Sequence, residues 1–186
     1  MRSIKECYVP LHEVLCTVLQ LPADRVILAN QGRGAPPGTE AYATYWPEPI
    51  RAHGWPIVDQ EDVPAVADYD PALGDHWTDL RHTLRVNMLL SVTVNVYNAD
   101  AQTRIMRLVH AHFRPDISSL LHTHRLGWQS VSNIRNLTHI LQAGIQPRFN
   151  IDIDLWSTFE TTVDVLRAAG TPFTLHDTNN HIISEG

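Results

Sequence analysis

Leu11, Val14, Leu15, Val18 and Leu19 recur three and four residues apart, the stripe of an amphipathic helix. Pro10 stands where such a helix can begin, and Leu21-Pro22 ends it. The apolar run Val26-Ile27-Leu28-Ala29 predicts a short strand. Asn30 to Gly38, with three Gly and two Pro, predicts a loop, and Ala41 to Trp46, aromatic alternating with small, predicts the returning strand. From Arg85 the pattern strengthens. Val86, Met88, Leu90, Val92, Val94 and Val96 alternate with mostly polar neighbours over one long half-buried strand. Asn98 or Asp100 is placed to cap the next helix, in which Ala101, Ile105, Leu108, Val109 and Phe113 form the stripe and Arg104 and Arg107 lie on the wet side. Pro115-Asp116 restarts a short helix through Leu120 and Leu121. A strand of uncertain register follows around Trp128 to Leu137. Phe149, Ile151, Ile153 and Leu155, alternating with Asn150, Asp152, Asp154 and Trp156, make the clearest period-two segment in the chain.

Two stretches have no such period. Between about 47 and 85, Pro47, Pro49, Pro56, Pro64 and Pro71 break any long element, while Trp55, Tyr69 and Trp77 are scattered among them. The expectation is a long surface excursion, of the kind that often carries function. After Ser157 the chain reads equally as helix or strand to Gly170, and Thr171 to Gly186 reads as a tail that orders on a partner. The order of elements predicts an α+β domain over residues 1–156, an antiparallel or mixed sheet of at least four strands with helices on one face, followed by an extension over 157–186.

Composition narrows the class. At roughly 150 residues per domain, 186 residues make about one domain, and 44% hydrophobic residues suffice for a core. Only 18% are charged, which leaves an Asn-, Ser-, Thr- and His-rich surface suited to broad contact with other proteins. The net charge of -6 lacks the basic excess of a free-standing nucleic-acid-binding domain. The eleven histidines would carry it to −6 + 11 = +5 once protonated in mild acid. Cys7 and Cys16 are too few for a disulfide framework and form no CxxC pair. No apolar run is long enough to span a bilayer, and Met1 to Pro10 lacks the apolar core of a signal peptide, so the expectation is a soluble protein made and kept in a cytoplasm.

Candidate chemistry is sparse. His110-x-His112 and His122-x-His124 resemble metal ligands, but on a helix residues i and i+2 point about 200° apart, so surface or interface imidazoles are the simpler reading. Asp152 and Asp154 share one side of a strand and could hold a cation or share a proton; as plain chemistry they are the wet face of that strand. Gly32-x-Gly34 lacks the third Gly, the Lys and the following helix of a phosphate loop. No Gly-x-Ser-x-Gly elbow occurs, Cys16 sits near the apolar stripe, and Cys7, though it could be exposed, has no basic neighbour to activate it. The aromatics are not interleaved with Lys or Arg as a stacking platform would be. These observations predict a non-enzymatic interaction domain without catalytic residue, metal or cofactor.

The assembled pattern resembles the phage neck-terminator, or tail-terminator-like, family. The resemblance lies in Val26-Ile27-Leu28-Ala29-Asn30-Gln31-Gly32 with its Pro-rich loop and aromatic strand, and in the junction Ser91-Val92-Thr93-Val94-Asn95-Val96-Tyr97-Asn98-Ala99-Asp100-Ala101. It continues in Gly127-Trp128, Asn136-Leu137-Thr138, and Pro147-Arg148-Phe149-Asn150-Ile151-Asp152-Ile153-Asp154-Leu155. It covers roughly Leu11 to Trp156, apart from much of the excursion. It implies a virion protein, assembled in the host cytoplasm, that forms a ring, usually a hexamer, on the head-proximal end of the tail tube. Such a ring stops tube growth, docks the head and lets DNA pass. Its implied neighbours are the tube, the sheath where there is one, and the head-completion or portal-side connector proteins, with no membrane. In that setting Gln31, Gly32, Arg33, Gly34, Pro36 and Pro37 are the candidate loop for gripping neighbours, and Asp152 and Asp154 the candidate lumen carboxylates that repel DNA phosphate. The competing readings are a small metal-dependent hydrolase or nucleic-acid-processing subunit built on the histidine pairs with Asp152 and Asp154, and another neck or tube component.

Overall fold

In chain order the elements are helix α1 (Tyr8–Leu19), strands β1 (Val26–Leu28), β2 (Tyr42–Pro64) and β3 (Thr78–Tyr97), helices α2 (Ala101–Val109) and α3 (Pro115–Thr123), then β4 (Leu126–Val131), β5 (Arg135–Asn136), β6 (His139–Leu141), β7 (Gly144–Gln146), β8 (Arg148–Val165), β9 (Thr174–His176) and β10 (Ile182–Glu185). This computed structural model describes residues 3–32, 34–64, 78–141, 144–165, 174–176 and 182–185. The chain divides into two compact units, residues 1–56 with 85–160 and residues 57–84 with 161–186.

The larger unit is built on a mixed sheet in the order β1-β2-β3-β8-β4, with β5 also paired to β8. β1 runs parallel to β2, Val26 opposite Ala43, whereas β4 and β5 are antiparallel to β8. The returning strand expected after the Gly/Pro loop is therefore a crossover, made possible by the loop's length. A bulge between Trp128 and Ser130, and the break before β5, explain why no single period fits residues 128–137. The β6–β7 hairpin stands apart as its own two-stranded sheet.

The alternation of β3 and β8 decides where the core lies. Leu90, Val92, Val94, Val96, Ile151, Ile153 and Leu155 are buried in one cluster with Leu11, Val14, Leu15, Val18 and Leu19 of α1, Ile105 and Leu108 of α2, and Ile117 and Leu121 of α3. Each fully buried aliphatic side chain contributes about 1.5–3 kcal/mol of burial free energy. Removing them from water is what ties three short helices to one face. The α1 N-terminus is prepared by a 3-10 turn, Ile4–Cys7, with a capping box between Ser3 and Glu6. Pro10 lies in the first helical turn, where a missing N–H costs little. At the other end Gln20 adopts a left-handed φ of 53°. Arg104 Nη1 donates to the Leu19 and Gln20 carbonyls at 2.7 Å each, and Arg107 Nη1 to Gln20 Oε1 at 2.6 Å. These arginines close the C-terminus of α1, where the aligned helix carbonyls favour cations; they are not the idle wet side that the helical pattern predicts. Neither Asn98 nor Asp100 caps α2 by its side chain. Asn98 Nδ2 donates instead to the Glu40 carbonyl at 3.1 Å. Cys7, which the sequence allows to be exposed, is fully buried.

The expected excursion is strand over residues 47–64 and 78–85; the stretch between them, with Tyr69, Pro71 and Trp77, lies outside the described residues. Pro47 and Pro49 are tolerated because of which edge they face. The Tyr45 carbonyl accepts from Ala29 N at 2.9 Å, so Tyr45 turns its backbone polar groups toward β1. Pro47 and Pro49, two and four residues on, put their ring nitrogens on that same edge, beyond the last residue of β1. The edge toward β3 loses no donor there.

In the smaller unit, Val63 and Asp79 are buried and Arg81 bridges Asp164 with Nε–Oδ1 at 2.8 Å. β8 carries the chain as strand to Val165, so the helix-or-strand ambiguity after Ser157 is settled as strand up to there, and residues 166–170 lie outside the described residues. β9 and β10, in the stretch expected as a tail, pair antiparallel as a two-stranded sheet.

Candidate functional site

The face of the sheet opposite the helices carries Asp152 and Asp154. Period two places them together, and the neighbouring strands supply their partners. Asp152 Oδ1 accepts from Thr93 Oγ1 at 2.8 Å, and its Oδ2 accepts from Arg135 Nη2 in an ion pair. Arg135 reaches it because β5 pairs Arg135 with Asn150, whose Oδ1 it also engages at 2.9 Å. Asp154 accepts only a hydroxyl, Ser130 Oγ at 3.0 Å, among the contacts described. Arg135 thus offsets the charge of Asp152, whereas the contact to Asp154 is a hydroxyl. Alongside, Arg148 donates to Asn95 Oδ1 at 3.0 and 3.2 Å and lies 5.3 Å over the Tyr97 ring, which stacks on Tyr42 at 4.5 Å. Period two places each of these side chains on the face, but nothing in the linear sequence announces that they meet.

The loop after β1 is open to solvent. Gln31, Gly32, Gly34 and Pro37 are exposed and Pro36 is half-buried; Arg33 lies outside the described residues. Its returning end is held by Arg25, which donates to the Pro37 carbonyl at 3.2 Å and pairs with Glu40 at 2.7 Å. Between the loop and the sheet is a cleft of about 200 Å³ whose walls include Ile27, Ala29, Tyr42, Thr44 and Tyr97. Burial, and then the neighbouring Tyr97, push the Tyr42 phenol up, so it stays neutral in this wall.

The third surface is one that the scattered prolines and aromatics hide. Every residue of β2 from 48 to 62 is exposed, among them Ile50 at 53% and Trp55 at 93%. Trp55 can be found in the sequence, but its exposure on a strand cannot.

His12, His112 and the thiols pack into the fold. His12 Nε2 stands 3.0 Å from the carbonyls of both Ala23 and Val26, so this nitrogen carries the proton and pins the turn after α1. Cys16 Sγ lies 3.7 Å from His12 Nδ1, and burial pushes its thiol up, away from a reactive thiolate. His112 packs over Trp128, ring centroids 5.7 Å apart. His122–His124 closes α3 on the helical side, whereas Asp152 and Asp154 alternate with core residues Ile151, Ile153 and Leu155 and face the other way. Among the described residues no three His, Cys, Asp or Glu side chains are grouped to hold an ion, and no helix is long and apolar enough to cross a membrane.

An α+β sheet with helices on one face, a polar network on the other, an anchored open loop and an uncovered strand define a protein of interaction surfaces. Residues 5–179 match the family described as phage neck terminator protein, and the chain belongs to that family. It is a structural protein of the phage neck and therefore of the virion. No curated protein matches the chain.

Proposed function

We propose that this protein is the ring-forming terminator of the tail: a non-enzymatic subunit that caps the tail tube, docks the head and leaves a passage for DNA. The observation that supports the ring most directly is the exposed run of β2 from 48 to 62, with Trp55 93% exposed. A strand of that length with apolar side chains in water is an interaction surface awaiting cover. A closed ring, a hexamer in the form expected here, provides that cover on every subunit. The loop carrying Gln31, Gly32, Arg33, Gly34, Pro36 and Pro37 then contacts the tube side or the connector side. The outer face of β8 lines the passage, with Asp154, which has a hydroxyl partner, repelling phosphate and the charge of Asp152 offset by Arg135. A structure of the assembled neck with both carboxylates turned away from the lumen removes that assignment.

The test of the main reading is electron microscopy of lysates from a phage with an early stop codon in this gene. Filled heads beside unattached or overlong tails are the expected result. Normally joined, infectious particles refute it.

A further inference from the structure

The geometry points to a specific knob-and-hole contact between copies of this chain: Trp55 of one subunit seated in the cleft between the 30–35 loop and the Tyr42–Tyr97 pair of the next. The inference rests on the neck-ring reading above and names the contact that would close the ring.

Three observations carry it. The first is the knob. Trp55 is 93% exposed and lies next to Gly54, whose φ of 73° lifts the backbone out of extended geometry. A large rigid aromatic held open to water is the typical anchor of a protein interface. The second is the hole. A cleft of about 200 Å³ falls below the roughly 300–1,000 Å³ of pockets for small organic ligands and suits a single large side chain. Its walls match an indole: Ile27 and Ala29 are apolar, the Tyr42–Tyr97 stack offers an aromatic surface, and Thr44 and Gln31 are polar residues of the lining. The third is the separation. Thr44, in the cleft wall, and Trp55 lie on the same strand, eleven residues apart. At about 3.3 Å per residue they stand roughly 35 Å from each other. Trp55 cannot fill the cleft of its own chain, so a pairing of the two is a contact between copies. A contact that joins one patch to a different patch repeats head to tail, which is the kind of interface that closes into a ring.

Two measurements on purified particles test this. Phage carrying Trp55→Cys and Ala35→Cys together, with Ala35 at the cleft rim, are oxidised and run without reductant. A ladder of linked copies is expected from the double variant and none from either single variant; unlinked chains from particles that contain the double variant overturn the proposal. Because that variant could be kept out of particles, hydroxyl-radical footprinting of wild-type particles stands beside it. Oxidation of Trp55 and Tyr97 should both be lost relative to the free chain. Trp55 still open in the particle, or Trp55 protected while Tyr97 is not, overturns the contact and leaves the neck reading intact. Absence of the chain from the particles overturns the neck reading, and this proposal with it.

Discussion

Tyr45 shows how a single side chain sets a pH limit. Its hydroxyl donates to the Tyr8 carbonyl at 3.1 Å, and burial, followed by the neighbouring Cys16 and Tyr8, pushes the phenol from its ordinary 10 up to about 12. Below pH 10 the phenol is protonated in folded and unfolded chains alike. Between 10 and 12 the unfolded chain releases the proton while the folded chain retains it, so stability falls as pH rises, by on the order of 2–3 kcal/mol. Tyr45→Phe should flatten that alkaline loss in urea titrations across pH 9 to 12, and an unchanged slope would place the titration elsewhere. The polar face offers a contrast in magnitude. Arg135 is half exposed, so Arg135→Ala should cost less than about 1 kcal/mol despite breaking the ion pair with Asp152. Asn150 is 5% exposed and donates to the Val94 carbonyl and Asn95 Oδ1, both at 3.3 Å. Its removal takes a donor from the Val94 carbonyl at a buried position and leaves Arg148 as the donor to Asn95 Oδ1, and Asn150→Ala should cost about 1–3 kcal/mol in the same denaturant experiment. Both side chains read in the sequence as ordinary polar residues; burial and partner geometry separate them.

At the scale of elements, β2 is the informative strand. Its first residues are ordinary sheet, paired with β1 on one edge and β3 on the other. Past Tyr45 no partner strand is paired on the β1 edge among the described residues, and Pro47 and Pro49 face it. A vacant edge with a full row of N–H groups invites pairing with any extended chain, and proline is one of the devices that prevents this. Pro49 is exposed, so Pro49→Ala should leave the fold in place while restoring an edge donor. The expected outcome is an unchanged circular dichroism spectrum with faster formation of thioflavin-positive aggregate. Equal aggregation in the variant and the parent would mean that the edge is protected by other means. The helices are governed more simply. α1 was predicted within a few residues of its observed bounds because an amphipathic stripe depends only on local spacing. Its C-terminal closure by Arg104 and Arg107 involves residues some 85 positions away and cannot be inferred from α1 itself.

For the whole molecule, the separation of folding from assembly is the main expectation. Trp55 contributes almost nothing to the monomer because it is 93% exposed. Trp55→Ala should shift the unfolding free energy of the isolated chain by no more than about 0.5 kcal/mol, yet sharply reduce the yield of joined particles. A large fall in the stability of the free chain would show that Trp55 belongs to the fold. The sequence by itself determined the α+β class, the helix α1, the long alternating strands around 86–96 and 149–155, the sharing of one face by Asp152 and Asp154, and the family. All of these rest on spacing between near neighbours or on the order of segments, and both survive in a linear string. Tertiary structure alone decided that residues 47–64 are strand, that β1 and β2 run parallel, that Arg135 pairs with Asp152 and not with Asp154, and that an exposed tryptophan and an aromatic cleft lie on one subunit. Each of these depends on which edge or face a distant segment leaves vacant, and that is set only when the sheet is assembled.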